Sequence, residues 1–436
     1  MRETLRGARS KLLKIDLGQL ALLNDGWQSL RLGDVASVAP AGTFDPKSDD
    51  ALPYVGLEHI EPELRTVRST GSSADTVSSK TRFSTGDVLF GKLRPYLKKV
   101  ALADRHGVCS TEIIVLQASD HVSSEFLYCL CATPQLIAFA INHSAGTRMP
   151  RISASELLRA TVLIPPRHEQ DWIADLLAAI DLVLERVLRR IDETVHLKSV
   201  YLNEVIDPRD GATTIKLGDA CEIHSGVSWA KSDELSPGDA AGIGVMGVTN
   251  VQRDYAHADG CTWIPRTTKQ AIDRLIEEHT ILTIRTNGNP DRIGNVHLAP
   301  PEAVGHTLSS FLTAITPRDP SDAPFVLRAL QSPRIQAAIT GATSGSTGLR
   351  NIAVTWLRQL EIPWPDTPAR REIVTTSDVF DDLTVALMAE ERATRRLRRA
   401  VLACLLSGER RLPAEYGRLV RQNGDDPGAE GATVQG

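Results

Sequence analysis

The composition predicts a soluble globular protein that is too long for one ordinary hydrophobic core. The chain has 436 residues, of which 42% are hydrophobic and 24% charged, so two domains with connecting elements are expected. No apolar run approaches the roughly 18 to 20 residues that span a bilayer, and the N-terminus lacks an apolar signal core. We therefore expect a cytoplasmic protein with no membrane contact. The net charge of -5 argues against coating nucleic acid by bulk charge, but it allows a local basic face.

The first 26 residues form an extension that precedes the first domain. It has a basic start and a short apolar run, Leu17 to Leu23. Two interpretations stay open: one docking helix, or a frayed extension. At the other end, the tail at 411–436 ends in NGDDPGAEGATVQG, whose Gly, Asp and Ala content and lack of apolar anchors predict disorder.

Two similar segments indicate an internal repeat. The motif LGD occurs at 32–34 and again at 217–219, and further pairs follow, such as GDVLFGKLR at 86–94 with HTILTIRTN at 279–287. Short β-branched runs and one helix in each segment, about Ser124–Asn142 and Pro324–Thr340, predict mixed α/β domains at 27–165 and 209–365. The offset between the copies grows from 185 to 200, so the second domain has longer loops.

Each domain is followed by a long run free of glycine and proline, which predicts two long helices at 166–208 and 366–410. Apolar residues recur in both at spacings of three and four, as in a heptad seam. The two seams match at an offset of 200, including a polar middle. An antiparallel coiled coil between the two helices is therefore the expected use of the seam, with these residues in it: Ile173, Leu176, Ile180, Val183, Val187, Leu197, Phe380, Leu383, Leu387 and Leu397.

No catalytic or metal-binding constellation is recognisable. Residues Gly86–Lys92 satisfy GxxxxGK, but three large apolar residues lie inside it and Pro95 follows, which favours a strand over a phosphate-binding loop. The histidines lack a carboxylate or serine partner at a telling spacing. The cysteines show no CxxC or zinc spacing, so we expect buried free thiols without a metal. These are Cys109, Cys129, Cys131, Cys221, Cys261 and Cys404.

Positive charge clusters with amides and hydroxyls on loops at matching places in both domains. Lys and Arg neutralise phosphates, and Arg and Asn can make paired hydrogen bonds to base edges. A surface exposed to solvent remains the alternative for any single residue, but the repetition favours a DNA-binding face. Its candidates are Lys92, Arg94, Tyr96, Lys98, Lys99, Thr147, Arg148 and Arg151 in the first domain, and Arg285, Asn287, Asn289, Arg292 and Arg350 in the second.

A separate arginine cluster lies on the second long helix. Arg395, Arg396, Arg398 and Arg399 flank Leu397 of the predicted seam. Two uses stay open: ion pairs with acids on a neighbouring helix, or an interface for a partner protein. We expect the partner interface, with direct DNA contact as the less favoured use.

Several motifs together resemble one known family. They are LGDV, TGDVLFGKLRPYLKKVALAD, STEIIVL and IPPRHEQDWIADLLAAIDLVLE in the first half, and LGD, RTNGNPDRIGNV (285–296) and LSGE (406–409) in the second. The chain from about 27 to 410 thereby resembles the specificity subunits of type I restriction-modification systems.

This resemblance implies a non-catalytic subunit with two target recognition domains. Each domain would read one half of a bipartite site in double-stranded DNA, and the helices would dock methyltransferase and motor-nuclease subunits. S-adenosylmethionine, ATP and Mg are then expected in the partner subunits, with no cofactor in this chain. The alternative is an assembly scaffold in a phage-defence complex, whose DNA recognition has degenerated.

Overall fold

The structure, a computed structural model, divides into two compact units. It describes residues 26–47, 51–206, 213–252, 255–345 and 348–406. Unit 1 takes in the residues up to Arg190 and those from Leu387 on, and unit 2 takes in Ile191–Ala386. The division passes through both long helices, which the sequence analysis treated as segments of their own. Except for Gly26, the predicted extension 1–26 lies outside the described residues, as do the tail 411–436 and the last residues of both predicted helices.

The first α/β domain, in unit 1, consists of short strands and short helices. In chain order they are β1 (Gln28–Arg31), α1 (Leu32–Val35), β2 (Ala36–Val38), β3 (Pro53–Val55), β4 (Gly71–Ser72), β5 (Thr81–Phe83), β6 (Val88–Gly91), β7 (Val100–Leu102), β8 (Gly107–Cys109), β9 (Ile113–Ala118), α2 (Ser124–Cys131), α3 (Pro134–Asn142), α4 (Ala154–Leu157) and β10 (Thr161–Ile164).

The first long helix, α5 (Arg167–Val205), leads to the second α/β domain. The elements of that domain, in unit 2, are β11 (Thr214–Lys216), α6 (Leu217–Ala220), β12 (Cys221–Ser225), β13 (Gly242–Met246), β14 (Thr262–Pro265), β15 (Ile281–Ile284), β16 (Thr286–Asn287), β17 (Val296–Leu298), β18 (Thr307–Leu308), β19 (Leu312–Pro317), α7 (Ala323–Gln331), α8 (Pro333–Gly341), β20 (Arg350–Asn351), α9 (Val354–Gln359) and β21 (Glu361–Pro363). The second long helix, α10 (Thr367–Leu406), follows.

The two domains share one strand order. The four-stranded sheet of the first domain runs β2-β9-β6-β7, and that of the second runs β12-β19-β15-β17. Each domain also has one parallel pair, β3 with β8 and β13 with β18, and in each the first strand pairs with the last. The fold class is therefore mixed α/β, as predicted. Strand β6 is buried throughout, so the GxxxxGK segment is a core strand rather than a phosphate loop.

The repeated LGD motif has a packing reason. In each domain it forms a one-turn helix, α1 or α6, against the segment that precedes the last strand. A Cβ atom at Gly33 would lie 3.3 Å from the carbonyl oxygen of Leu158, and one at Gly218 would lie 2.9 Å from that of Arg358. Any larger residue would push the two segments apart, which explains why glycine stands at this place in both copies.

The helix predicted at Ser124–Asn142 is two helices, and so is its counterpart. Helices α2 and α3 are separated at Thr133, and α7 and α8 at Ser332, because Pro134 and Pro333 start the second helix of each pair. A proline is favoured in the first turn of a helix and disrupts its interior. No single described helix is long and apolar enough to cross a bilayer; α2 and α3 meet that test only as a bent pair, and most of their apolar residues belong to the core of the domain.

The long helices pack antiparallel in each unit. In unit 1 the first turns of α5, with Ile173 and Ile180, share a core with Val401 and Leu405 near the end of α10. In unit 2 the last turns of α5, with Leu202, share a core with Ile373 at the start of α10. The observed helices lie within the predicted ranges 166–208 and 366–410.

The pattern of buried side chains along both helices differs from the predicted seam at every second position. Ile173, Ile180, Val187 and Leu387 are buried as predicted. Between them, the inward residues stand one position later than predicted: Leu177, Leu184, Ile191 and Lys198 in α5, and Ser377, Thr384, Glu391 and Arg398 in α10. Because Thr384 and Arg398 of α10 are polar, hydrophobicity alone selects their apolar neighbours Leu383 and Leu397 instead.

The remaining predicted seam residues have other environments. Leu197 and Leu383 are 56% and 41% exposed, so they do not belong to the seam. Leu176 is buried in the core of unit 1. Val183, Phe380 and Leu397 are half-buried, and Phe380 packs against Tyr201 with ring centroids 6.0 Å apart.

A buried ionic cluster fastens the first domain to both helices in unit 1. The Arg398 Nε donates to Asp181 Oδ1 at 2.5 Å, and its Nη2 donates to the hydroxyl of Tyr128 on α2. The charged side chains of the pair are each 2% exposed. The helix seam and the domain core therefore meet at one charged contact.

Unit 2 has the counterpart of this cluster at positions displaced by 200. The Lys198 Nζ lies 2.5 Å from Asp381 Oδ1. Arg328 on α7 takes the place of Tyr128, with its Nη2 2.8 Å from Asp381 Oδ2. The internal repeat therefore extends to individual side-chain contacts, although the residue types differ.

We expect Arg398→Met to destabilise the chain by about 3–5 kcal/mol, because it leaves the Asp181 carboxylate buried without its partner. Burial raises the pKa of Asp181, so the folded form binds a proton more tightly than the unfolded chain. Lowering the pH through that raised pKa protonates Asp181 and removes the cost of burying its charge. The loss of unfolding free energy in Arg398→Met should therefore be larger at about pH 8 than at about pH 5. Urea unfolding at the two pH values measures it.

The matched control replaces both charges, Asp181→Leu with Arg398→Met, and should recover most of the lost stability. A single variant as stable as the wild type would show that solvent reaches Asp181.

The corrected seam predicts different costs for two leucines of α5. Leu184→Ala should cost about 2–5 kcal/mol, because Leu184 is fully buried, whereas Leu197→Ala should stay within about 0.5 kcal/mol. If denaturant unfolding showed equal losses of unfolding free energy in the two variants, the originally predicted seam, with Leu197 in it, would be correct.

Candidate nucleic-acid interface

Two predicted basic segments of the first domain lie side by side after β6. Leu93 and Arg151 form an antiparallel bridge, and the Arg94 N–H donates to the carbonyl of Pro150 at 2.7 Å. The structure therefore brings residues 92–99 and 147–151 together, although about fifty residues separate them along the chain.

The first of these segments is a tight turn with unusual backbone angles. Pro95–Leu97 is a 3-10 turn flanked by Arg94 at φ 51° and Lys98 at φ 53°. The left-handed region costs an ordinary L-residue about 1–2 kcal/mol, and such strain is frequent at binding sites. Tyr96, inside the turn, is 49% exposed.

Several candidate cations of the first domain already have partners. The Lys98 Nζ lies 2.9 Å from Glu63 Oε1, the Lys99 Nζ donates to the carbonyl of Leu57 at 2.6 Å, and the Arg151 Nε lies 2.9 Å from Glu112 Oε2. Thr147 and Arg148 are exposed, and no described residue binds the side chain of Arg148. Arg148 is thus the candidate most open to a phosphate.

A cavity of about 370 Å³ adjoins these segments. Lys92 and Arg151 line it with the hydroxyl-bearing residues Thr111 and Ser153. The rest of the lining is mostly apolar, so the edge of the domain has an apolar concavity with a few polar and positively charged side chains.

The matching segment of the second domain is held largely by its own side chains. Asn287 Oδ1 accepts from the N–H of Asn289, and Asn289 Oδ1 accepts from that of Asp291. Asn287 pairs through its backbone with Arg350, whose side chain is exposed. These contacts leave the side-chain amide nitrogens of both asparagines as possible donors.

Arg292 does not point outward as a contact residue would. Its Nη2 donates to the carbonyls of Val248 and Val251, at 3.0 and 2.8 Å. The half-buried guanidinium therefore fixes the 3-10 turn at Val248–Asn250, and this corrects its predicted role.

Glu63 links the basic turn to α10 within unit 1. One carboxylate oxygen meets Lys98, and the other lies 3.0 Å from Arg399 Nη1. Although burial raises it, the pKa of Glu63 is held below its usual value by the hydrogen bond from Lys98 and by the charges of Lys98, Arg399 and Arg395. Glu63 is therefore ionised and reduces the positive charge that Lys98 offers.

The arginine cluster on α10 mostly binds the first domain. Arg395 contacts Glu61 and the carbonyl of Pro62, Arg399 contacts Glu63, and Arg398 is buried. The buried Arg398 has no surface for a partner protein, which corrects that prediction, whereas Arg396 is exposed. Arg398 makes the ion pair with a neighbouring helix that the sequence left open, to Asp181 of α5. Arg395 and Arg399 instead pair with acids in a loop of the first domain.

Sequence reasoning missed two residues of this surface, Glu63 and Glu112. Glu112 stands in the STEIIVL motif, whereas Glu63 stands in no motif that points to the site. Asn351 stands beside the predicted Arg350, but its contact with Arg285 was not predicted. The partners of these three residues lie 35 to 66 residues away along the chain, so only the fold brings them together.

The thiols and possible metal ligands indicate structural roles. All six cysteines are free, and five are buried, in agreement with the prediction. Burial raises the pKa of the Cys109, Cys129 and Cys221 thiols to about 12, which makes them poor nucleophiles. The described residues contain no group of three His, Cys, Asp or Glu that could hold a metal ion.

Part of the chain matches known proteins in sequence. Residues 24–194 match the family described as type I restriction modification DNA specificity domain. A curated relative, the type I restriction enzyme EcoDI specificity subunit of Escherichia coli, is 28% identical over 162 residues. That match covers 36% of this chain and 35% of the relative, so it spans about a third of the relative's length.

One solved structure supports the fold. Described as the structural basis of complex assembly and conformational transition of the type I R-M system, it matches with a TM-score of 0.51 at 22% identity, over 88% of this chain and 98% of that one. The type I S subunit of M. genitalium matches at 16% identity over 89% and 98% of the two chains, with a lower TM-score of 0.49.

The first domain and the start of the first long helix thus match a DNA specificity domain, and the family resemblance stated from the sequence is confirmed for this part of the chain.

Because Glu63 neutralises Lys98, we expect Glu63→Gln to strengthen DNA binding of all sequences alike. A lysine released to one further phosphate should steepen the dependence of log K on log salt by about 0.9. Fluorescence anisotropy of labelled duplexes across a salt series measures both effects.

The matched control is Glu61→Gln, which removes the same charge from the same loop but releases Arg395 instead. A salt dependence that steepens equally in both variants would show a general charge effect and contradict the role given to Lys98.

Proposed function

We propose that the chain is the non-catalytic DNA-specificity subunit of a type I restriction-modification complex. Each α/β domain would read one half of an asymmetric bipartite site in double-stranded DNA. The two long helices would form the antiparallel coiled coil that joins two homologous recognition domains, and would dock methyltransferase and motor-nuclease subunits. S-adenosylmethionine, ATP and Mg would be bound by those partners.

The observation that carries this proposal is the doubled domain with unlike surface side chains. The same strand order recurs in both domains, whereas the loops after β6 and β15 carry different residues. One backbone used twice with different contact residues fits two unlike half-sites.

Phosphate contacts are proposed for the cations that the structure leaves accessible. Arg148 and Arg350 are exposed, and Lys98 becomes available where phosphate displaces Glu63. The amide groups of Asn287 and Asn289 lie on the same segment as Arg285 and suit base edges or the sugar-phosphate backbone. Partner contacts are proposed for the exposed faces of the long helices, with Arg396 among them.

A second candidate is an assembly scaffold whose DNA recognition has degenerated. It is favoured by the pairing of Lys98 with Glu63 and of Arg151 with Glu112, together with the inward Arg292. These contacts reduce the charge available to DNA.

Reconstitution with the methyltransferase subunit separates the two functions. The complex is given S-adenosylmethionine and mixed-sequence DNA, and modified adenines are mapped by sequencing. Modification confined to sites that share two short elements at a fixed spacing is expected. A complex that assembles but modifies DNA without any shared motif would overturn the proposal and favour the scaffold.

A further inference from the structure

The two domains hold three residues on the same backbone frame. In the first domain the Lys92 N–H donates to the carbonyl of Glu112 at 3.0 Å, and the Lys92 carbonyl accepts from Ile152 at 3.1 Å. In the second, Arg285 makes the same two bonds, to the carbonyl of Phe311 at 3.0 Å and from the N–H of Ile352 at 2.9 Å. Positions 92 and 285 are therefore structurally equivalent.

The third member of the frame is also equivalent. Arg151 exchanges two backbone hydrogen bonds with Ala145, both at 2.9 Å, and Asn351 exchanges two with Ser344, at 3.0 and 2.9 Å. The frame thus pairs positions 92, 112 and 151 of one domain with 285, 311 and 351 of the other. The backbone hydrogen bonds of the frame are the same in both domains although the residue types differ, so side chains at these positions can change while these bonds persist.

Each domain uses this frame to orient one arginine. In the second domain the Asn351 Oδ1 accepts from the Arg285 Nε at 3.0 Å and from the Thr286 hydroxyl at 2.8 Å. Within the described residues nothing binds the terminal Nη1 and Nη2 atoms of Arg285, and neither is a buried unpaired atom. In the first domain the arginine stands at a different frame position: the Glu112 carboxylate accepts from the Arg151 Nε, and the Met149 carbonyl accepts from its Nη1.

An arginine held at Nε presents its two terminal nitrogens as a fixed pair of donors. That geometry matches the O6 and N7 acceptors of guanine in the major groove. A phosphate contact needs no such orientation, because a flexible cation serves it equally well. Beside Arg285 the ring of Phe311 is 45% exposed, which suits an apolar contact with a neighbouring base.

Building on the proposed function, we propose that Arg285, oriented by Asn351, reads a guanine in the half-site of the second domain. Position 285 and its frame partners 311 and 351, with 92, 112 and 151 in the first domain, are then the positions that set sequence preference. Arg285 changes from a predicted phosphate contact to a base contact, and Asn351 becomes a positioning residue.

Arg285→Lys tests the base contact, because it keeps the charge and removes the planar pair of donors. With the reconstituted methyltransferase complex and sequencing of modified adenines, discrimination for guanine at one position should fall about 5- to 100-fold, the range for one bidentate contact. The other positions of the motif should keep their preference.

Arg318→Lys is the matched control. Arg318 follows the opposite end of β19 from Phe311, and its Nε is likewise held, by the carbonyl of Asp219 at 3.2 Å. The motif should stay unchanged in this variant.

Two variants of Asn351 test the positioning role. Asn351→Ala removes the acceptor and should relax the same position as Arg285→Lys, with little change in affinity for unrelated DNA. Asn351→Asp keeps an acceptor for the Nε and should retain the preference for guanine. A purely structural role for Asn351 would instead lower modification at all sites alike.

The failures of the two proposals are distinguishable. A wild-type complex without any motif would overturn the proposed function. A wild-type complex with a motif that Arg285→Lys leaves intact, while all sites weaken equally, would show a phosphate contact at Arg285 and overturn only this inference.

Discussion

The buried contact between Arg398 and Asp181 is the constraint on which unit 1 depends. Removing two charges from water costs several kcal/mol per ion, so such a pair is stable only when its geometry and added hydrogen bonds offset that cost. Tyr128 supplies the added bond, and it comes from α2 of the domain rather than from either long helix. Within unit 1 the contact therefore fixes both the pairing of the two helices and the position of the first domain against them.

Unit 2 satisfies the same constraint with different chemistry. Lys198 and Asp381 form the pair, and Arg328 replaces the tyrosine. Desolvation lowers the pKa of Lys198, although the hydrogen bond that Lys198 donates to Asp381 opposes this shift, whereas Arg398 stays charged at any physiological pH. What the repeat preserves is thus a charged junction of three elements, rather than particular residue types.

The sequence predicted the long helices, the mixed α/β class and alternate seam positions, because these depend on local periodicity and on proline. It could not predict the other half of the seam, since Ser377, Thr384, Glu391 and Arg398 resemble surface residues until their partners are known. The candidate site was likewise predictable only in part. Basic loops are visible in the sequence, but Glu63, Glu112 and Asn351 meet their cations only where the fold brings together segments 35 to 66 residues apart.

The repeat separates what must stay fixed from what can vary. The charged junctions and the LGD turns are held by side-chain packing, where a substitution costs stability. The frame at positions 92, 112 and 151, and at 285, 311 and 351, is held by backbone hydrogen bonds, which are indifferent to side-chain identity. Lys92 and Arg285, or Glu112 and Phe311, can therefore differ completely on the same scaffold. Two domains of one fold can in this way acquire different surface chemistry without a change in either core.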